Sequence, residues 1–359
     1  MDKLRVGIIG LGGIAFNKHM PSLGKLPQVE LAGFFDIDAA RSRRAKQEFG
    51  SPSAAVYDDY RKLLEDPAID VVHICTPNDS HAEISIAALQ AGKHVMCEKP
   101  MAITVESARA MVKTARDTGR KLTIGYNYRF RPDAWYLKKY CRSGELGDIY
   151  LAKAMAVRRR GVPTWGVFLD KAKQGGGPLI DIGTHALDMA LWLMDNYEPA
   201  SVTGSVFRKL AAQGSEANAW GNWDPAKMTV EDSAFGYIKM KNGATIMLES
   251  GWAINMLTSD HVKTTLCGTL GGADMEDGLR INGEKNGSLY EMKLGLGKGG
   301  VSFYDGNRES ANDKEARLWI ESILNDREPV VTPEQALVVT EILDAIYTSS
   351  ETGKTVYFA

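Results

Sequence analysis

The sequence predicts an α/β chain of two domains: a doubly wound parallel sheet first, then an α+β domain on a mostly antiparallel sheet. Three observations predict it. Short apolar runs alternate with helical patterns as far as residue 125, the signature of βαβ units covered on both faces. The glycine-rich stretch Gly10-Leu11-Gly12-Gly13-Ile14-Ala15 stands between the first run and the first helix. Beyond Tyr126 helical signals thin out and longer alternating stretches replace them. The length agrees, since 359 residues are too many for one ordinary core.

In chain order, Leu4–Ile9 reads as a strand, Ile14–Leu26 as a helix, Val29–Phe35 as a strand and Ala39–Phe49 as a charged helix. Asp58–Leu64 is a short helix, Val71–Cys75 an apolar strand, and Ser80–Ala91 has helical spacing. His94–Cys97, Val105–Thr118 and Lys121–Gly125 complete the pattern as strand, helix and strand. The second domain shows alternation over Ile149–Arg158, Ala200–Phe207, Ser233–Lys241, Thr245–Ala253 and Lys263–Gly268. Lys241-Asn242-Gly243 and Gly271-Gly272 read as turns between these strands. Leu179–Met194 and Gln335–Ser349 read as helices. The domains therefore run 1–125 and 126–359, with no low-complexity linker between them.

Composition excludes several classes. Hydrophobic residues at 44% and charged residues at 25% describe a globular chain rather than a disordered one. No apolar run reaches the ~20 residues of a membrane span. Val6–Leu11 is broken by glycine, and Leu179–Met194 carries Asp181, His185 and Asp188. The first strand begins at Leu4, which leaves no room for a secretion signal. Cys75, Cys97, Cys141 and Cys267 stand apart, so neither a disulfide framework nor a metal site is expected. Cys75 and Cys97 lie inside apolar runs and read as small buried hydrophobes. A reducing, cytoplasmic compartment is expected. The net charge of −2 argues against a polyanion-binding surface, and Arg158-Arg159-Arg160 is too short a run to change that.

The glycine stretch carries the first chemistry. Gly10 permits a tight turn, Gly12 admits a pyrophosphate close to the backbone, and Ala15 allows helix and strand to pack closely. The helix that follows offers free N–H groups to the anion. In this strand–turn–helix context the motif reads as a dinucleotide site. Asp36 ends the second strand, 26 residues after Gly10, where an acid hydrogen-bonds a ribose 2′-hydroxyl and repels a 2′-phosphate. NAD is favoured over NADP on that ground. Two neighbours complicate the reading. Arg41 is placed to stack on adenine or to pair with a phosphate, and Asp38 is either a ribose ligand or a helix N-cap.

Ligands of parallel sheets gather at the carboxyl ends of strands. Two such ends are distinctive: Thr76-Pro77-Asn78, with His81 just beyond, and Glu98-Lys99-Pro100. Lys99 is either a loop lysine paired with Glu98 or a cation at the mouth of a nicotinamide site. In the second domain, Gly175-Gly176-Gly177-Pro178 leads into a helix whose i,i+4 spacing puts Asp181 and His185 on one face, with Asp188 and Trp192 in the same sector. A histidine there is a satisfied structural residue or, oriented by the aspartate, an acid–base near neutral pH. An arginine of the triple run is either solvated or a partner for an acidic sugar. The stretch Ala211–Lys227, with Trp220 and Trp223, reads as a loop that covers the site or meets a neighbouring subunit.

The glycine fingerprint, Thr76-Pro77-Asn78 with His81, Glu98-Lys99-Pro100, Gly175–His185 and the closing Ala345-Ile346-Tyr347…Gly353-Lys354 stand in one order on one chain. Together they resemble the Gfo/Idh/MocA oxidoreductases (glucose–fructose oxidoreductase, inositol dehydrogenase and relatives). The resemblance implies an N-terminal Rossmann domain that binds NAD(P), with Gly13, Ile14, Thr76, Asn78, His81 and Glu98 among its cofactor contacts. It also implies a C-terminal domain with a large open sheet whose free face joins subunits into dimers or tetramers. Lys99 resembles the lysine that contacts substrate and nicotinamide ribose; Asp181 and His185 resemble the catalytic pair. In Tyr126-Asn127-Tyr128-Arg129, Asn127 lies where relatives contact cofactor or substrate, and Tyr126 and Arg129 go with it as substrate contacts. Trp165 resembles a pocket aromatic, with a core tryptophan an equal alternative. The family pattern also suggests a cis Lys99–Pro100 bond. The activity implied is reversible hydride transfer between a nicotinamide and a hydroxyl or ketone carbon of a sugar, inositol or sugar derivative. Two alternatives stand beside it: an NAD-dependent glycosidase using transient C3 oxidation, and a non-catalytic dinucleotide sensor.

Overall fold

The structure, a computed structural model, describes residues 3–257, 260–295 and 309–359. The chain divides into two compact units. The first holds residues 1–127 and 309–337, the second 128–308 and 338–359. Reading the second domain straight through to residue 359 therefore misplaced the segment 309–337.

In the first unit, β1 (Leu4–Ile9), β2 (Val29–Phe35), β3 (Ala55–Val56), β4 (Val71–Ile74), β5 (His94–Cys97) and β6 (Leu122–Ile124) form one sheet. Its order is β3-β2-β1-β4-β5-β6 and every pairing is parallel. Chain order reverses between β1 and β4, the switch point where such sheets take ligands. The register makes that edge a level one. Ile9 pairs with Phe35 and with Ile74, Ile74 with Cys97, and Cys97 with Ile124. Gly10, Asp36, Cys75, Glu98 and Gly125 consequently leave the sheet at the same height. β4 is buried along its whole length, as a strand covered on both faces must be. Part of that cover comes from Ala311–Leu324, whose Ala316, Trp319 and Ile320 join Val6, Ile8, Met20 and Phe34 in one core.

The helix expected over Ile14–Leu26 ends at Leu23, and its Ala15–His19 portion is a π turn. The wider turn lets two consecutive residues, Lys18 and His19, both face inward. Asp38, Asp59 and Thr104 cap the helices that follow them, which resolves Asp38 as an N-cap.

The second unit contains β7 (Ile149–Val157), β8 (Pro199–Phe207), β9 (Ser233–Met240), β10 (Thr245–Gly251), β11 (Asp260–Gly268), β12 (Gly271–Asp274), β13 (Arg280–Lys285), β14 (Ser288–Lys293) and β15 (Val356–Tyr357). They form a nine-stranded sheet, ordered β14-β13-β12-β11-β7-β10-β9-β8-β15. Only β7 and β10 pair in parallel. Gly271-Gly272 thus lies in a strand and not in the turn expected there. Burial alternates along β9 and β10, so one face is covered and the other carries exposed Tyr237 and Met247, which pair with each other. The helix Thr184–Met194 lies on the covered face and is buried from Thr184 through Leu193. Pro132–Arg142 packs beside it, a helix the alternation-based reading passed over. Among the described residues no helix is long and apolar enough to cross a membrane.

Candidate active site

The nucleotide half of the site lies at the level edge of the first sheet. Gly10 has φ +87°, and a Cβ there would lie 2.7 Å from the backbone of Cys75 and Thr76; only glycine fits. A Cβ on Gly12 would meet nothing within 4 Å, and on Gly13 only the Asn17 amide at 3.8 Å. Backbone N–H groups facing open space at the start of a helix are what a pyrophosphate requires, so the residues fit a dinucleotide. Ile14 is partly exposed beside them. Asp36 has a second task that the motif did not reveal. Its carboxylate accepts the Leu11 N–H at 2.6 Å and the Asp38 N–H at 2.8 Å, fastening the glycine turn to the end of β2. Four lone-pair positions leave room for a ribose hydroxyl as well. Arg41 is exposed, 3.9 Å from Asp36 and 3.6 Å from Asp38.

Three sequence-selected residues of this unit face inward and are corrected as side-chain contacts to a ligand. His81 is fully buried, with Nδ1 2.7 Å from the Pro100 carbonyl and Nε2 2.9 Å from the Thr76 carbonyl. It ties the loop after β4 to the turn after β5. Burial opposes its charge, but Cys97 and the two carbonyls prevail and push its pKa up to about 9. Glu98 is buried too. Its Oε1 accepts from Lys18 Nζ at 2.8 Å and stands 2.8 Å from His19 Nε2, while Oε2 accepts the Lys99 N–H at 3.1 Å. Burial would raise this carboxyl, yet Lys18 and His19 hold it well below its ordinary range. Tyr126, 1% exposed, is the third. Lys99 itself is half-buried, and its bond to Pro100 is cis, as the sequence suggested. Thr76, whose hydroxyl accepts from Ser80 at 2.8 Å, Asn78 and Asn127 are all partly exposed.

The second unit presents Asp181 and His185 on a continuous helical segment, but its first turn, Leu179–Gly183, is π and not α. Regular i,i+4 spacing therefore does not describe the pair. The glycines ahead of it serve packing. A Cβ on Gly176 would collide with the Tyr347 hydroxyl, and one on Gly177 with the Glu231 carbonyl. Through that close approach the buried Glu231 carboxylate accepts from Gly177 N–H at 2.8 Å, Leu179 N–H at 3.1 Å and Tyr347 O–H at 2.8 Å. It caps a helix from a distant part of the chain. Ser250 donates to the Pro178 carbonyl at 2.7 Å and steadies the same turn.

Asp181 accepts from Trp252 Nε1 at 3.1 Å and lies 4.0 Å from Arg158 Nη1. The His185 ring sits 4.8 Å from that of Tyr128, and the residue is 7% exposed. Arg129 is the fourth correction. It is fully buried and bonded to both oxygens of Asp188, with Nε–Oδ2 at 2.9 Å and Nη2–Oδ1 at 2.6 Å, so it braces the helix and is closed to substrate. Asp188 is thereby a structural partner. Trp165 is 51% exposed, which removes the core alternative. Glu231, Trp252 and the Lys18 cluster escaped sequence reasoning; none sits in a motif, and only tertiary folding brings them near the motifs.

A parallel sheet with a glycine turn at its switch point, joined to a unit that displays an aspartate and a histidine, defines a nucleotide-dependent oxidoreductase class. Residues 4–126 match the oxidoreductase family with an NAD-binding Rossmann fold, and residues 135–274 match the GFO/IDH/MocA C-terminal domain. A D-glucoside 3-dehydrogenase of Escherichia coli (strain K12) is 37% identical over 354 residues, covering 98% of this chain and 96% of that one. A levoglucosan dehydrogenase of Pseudarthrobacter phenanthrenivorans is 31% identical over 70% of this chain and 68% of its own length. Among solved structures, aldose-aldose oxidoreductase from Caulobacter crescentus, complexed with glycerol, superposes with a TM-score of 0.80 at 26% identity over 99% of this chain and 100% of that one. The protein belongs to the Gfo/Idh/MocA oxidoreductase family.

Proposed function

We propose that the protein is a dehydrogenase of a sugar, inositol or sugar derivative that uses NAD in preference to NADP. The observation that carries the reading is the clamped helical segment bearing Asp181 and His185 in a chain that belongs to an NAD-binding oxidoreductase family. The relatives named above add support, since they act on glucosides and on levoglucosan. When bound, the nicotinamide supplies the hydride acceptor or donor. His185 takes the hydroxyl proton as the carbinol C–H bond breaks, a task suited to an imidazole. Asp181 holds the geometry, and the Lys99 ammonium steadies charge developing on the substrate oxygen. Gly10, Gly12, Gly13, Ile14, Thr76, Asn78 and Asn127 line the cofactor, Asp36 takes the ribose hydroxyl with Arg41 beside it, and Trp165 contacts the substrate.

The test is an NAD- and NADP-coupled absorbance screen over aldoses, inositols, sugar acids and anhydrosugars. His185→Ala should lower kcat by about 10²–10⁴-fold; turnover near wild type removes His185 from the mechanism. Unchanged kcat/KM in Lys99→Ala on every substrate removes the lysine. Release of free sugar from a glycoside with no net NADH would favour the glycosidase alternative.

The exposed Tyr237 and Met247 on the open face of the second sheet support a homo-oligomer, a dimer or tetramer, formed through that face. Four free cysteines, two of them buried, suit a reducing cytoplasmic compartment.

A further inference from the structure

We propose that Trp165, Trp220 and Arg158 form a subsite beside Asp181 for the non-reacting ring of a neutral glycoside, so that the enzyme prefers glycosides to free sugars. The proposal deepens the dehydrogenase reading above and rests on Asp181 belonging to the site. The carrying observation is a closed circuit of side chains. From Asp181 it passes to Trp252 (3.1 Å), then by ring contacts to Phe168 (6.2 Å), Trp165 (5.7 Å) and Trp220 (5.0 Å). The Arg158 guanidinium lies over Trp220 at 5.3 Å and returns to Asp181 at 4.0 Å.

Two members of this circuit stand out in water: Trp165 is 51% and Trp220 43% exposed. Their rings meet at 90° and so offer two apolar surfaces at a right angle. The exposure is not that of a loose loop. Asn218 holds the loop by accepting the Val162 N–H at 2.8 Å and donating to the Val162 carbonyl at 2.9 Å, and Thr164 Oγ1 donates to the Trp220 carbonyl at 2.5 Å. A ring with an apolar C–H or π face is the ligand such indoles stack on, and its hydroxyl rim finds donors on Arg158. Charge selects further. The Asp181 carboxylate, 4.0 Å from the Arg158 guanidinium, offsets the pull of Arg158 on a carboxylate or phosphate. Arg158 is therefore expected to favour a neutral ring over an acidic sugar.

The experiment measures kcat/KM by NADH formation for glucose, methyl glucoside and phenyl glucoside in both anomers, gluconate and glucose 6-phosphate. Phenyl glucoside of one anomer should exceed glucose by about tenfold, the size one aromatic contact supports. That ratio should fall towards one in Trp220→Ala and stay intermediate in Trp220→Phe. An unchanged ratio in Trp220→Ala, or a preference for gluconate or glucose 6-phosphate, overturns the proposal. If the wild type oxidises no sugar, the dehydrogenase reading fails by itself. The subsite is then judged by saturable quenching of tryptophan fluorescence by phenyl glucoside: weakening in Trp220→Ala supports it, and no quenching in the wild type overturns it.

Discussion

Lys18→Met is the most informative single perturbation of the first unit. Lys18 Nζ lies 2.8 Å from Glu98 Oε1 and 2.9 Å from Glu315 Oε2, and all three side chains are buried. Burial works against the ammonium, but Glu315 and Glu98 outweigh it and raise its pKa. The two carboxyls share the lysine unequally. Glu98 also has His19 and the Lys99 N–H, whereas Glu315 is pushed up by burial and its Oε1 has no partner among the described residues. Each contact is worth up to about 6 kcal/mol at an effective dielectric near 20, offset by the relief of unburying the ammonium. Removing one member of a buried ionic group costs about 3–5 kcal/mol, and that is the loss expected at pH 8. Without the lysine, the folded-state pKa of Glu315 rises further above its unfolded value. The cost should therefore grow as pH climbs past the wild-type folded value of Glu315, itself raised above the ordinary 4.5, by at most about 1.4 kcal/mol per unit. The assay is urea unfolding at pH 5 and pH 8, with the first unit's transition identified by its response to NAD. Lys18→Met/Glu315→Gln should recover most of the loss. A cost below about 1 kcal/mol at pH 8, equal costs at both pH values, or a double variant no better than the single would refute the reasoning.

Three further outcomes follow from the same structure. Gly10→Ala should destabilise the first unit by about 1–3 kcal/mol, because φ is +87° and the backbone of Cys75 and Thr76 blocks the methyl; Gly12→Ala, with nothing in its way, should melt like wild type and lose only NAD affinity in titration. Glu231→Gln should lower stability by about 1–3 kcal/mol, since an amide N–H₂ would face a backbone donor, and should lower kcat with it; a normal kcat would detach the cap from catalysis. Two histidines should tilt the pH–stability profile in opposite senses. His81, pushed up to about 9 by Cys97 and two carbonyls against burial, contributes stability that is complete below 6.5 and lost as pH rises through about 9. His94, pulled down to about 4 by burial, Arg120 and Lys121, contributes stability present above 6.5 and lost as pH falls through about 4. Melting curves from pH 4 to 9 should flatten on the alkaline side in His81→Gln and on the acid side in His94→Gln.

What could be read from sequence was what local periodicity and turn chemistry encode. The parallel strands of the first unit other than the two-residue β3, the strands β7 to β11 of the second and the glycine turn each declare themselves within about ten residues. The return of Ala311–Leu324 to the first core did not, because nothing in an amphipathic helix names the surface it will cover. The π turns at Ala15–His19 and Leu179–Gly183 were hidden for a related reason: both sit inside segments whose composition is ordinary helix. Glu231 is one acid before a strand, and only the fold brings it to Gly177 and Leu179.

The motifs misled in one consistent way: each sets an enclosed residue close to one that is partly exposed. Successive side chains of an extended segment point to opposite sides. Glu98 turns inward to Lys18 and His19 and is buried, whereas Lys99 after it is only half-buried. His81 is likewise enclosed while Thr76 and Asn78 are partly exposed, and Arg129 is enclosed while Asn127 is partly exposed, but these residues lie on or beside helical turns, where strand alternation does not apply. On the proposed reading, each motif thus sets a structural residue beside a functional one. Glu98→Gln tests the division directly. It should leave the Lys99 ammonium in place yet lower kcat, because the strap that aims the lysine has lost its anchor. Wild-type kcat together with wild-type stability would show that the inward residue of the pair is dispensable.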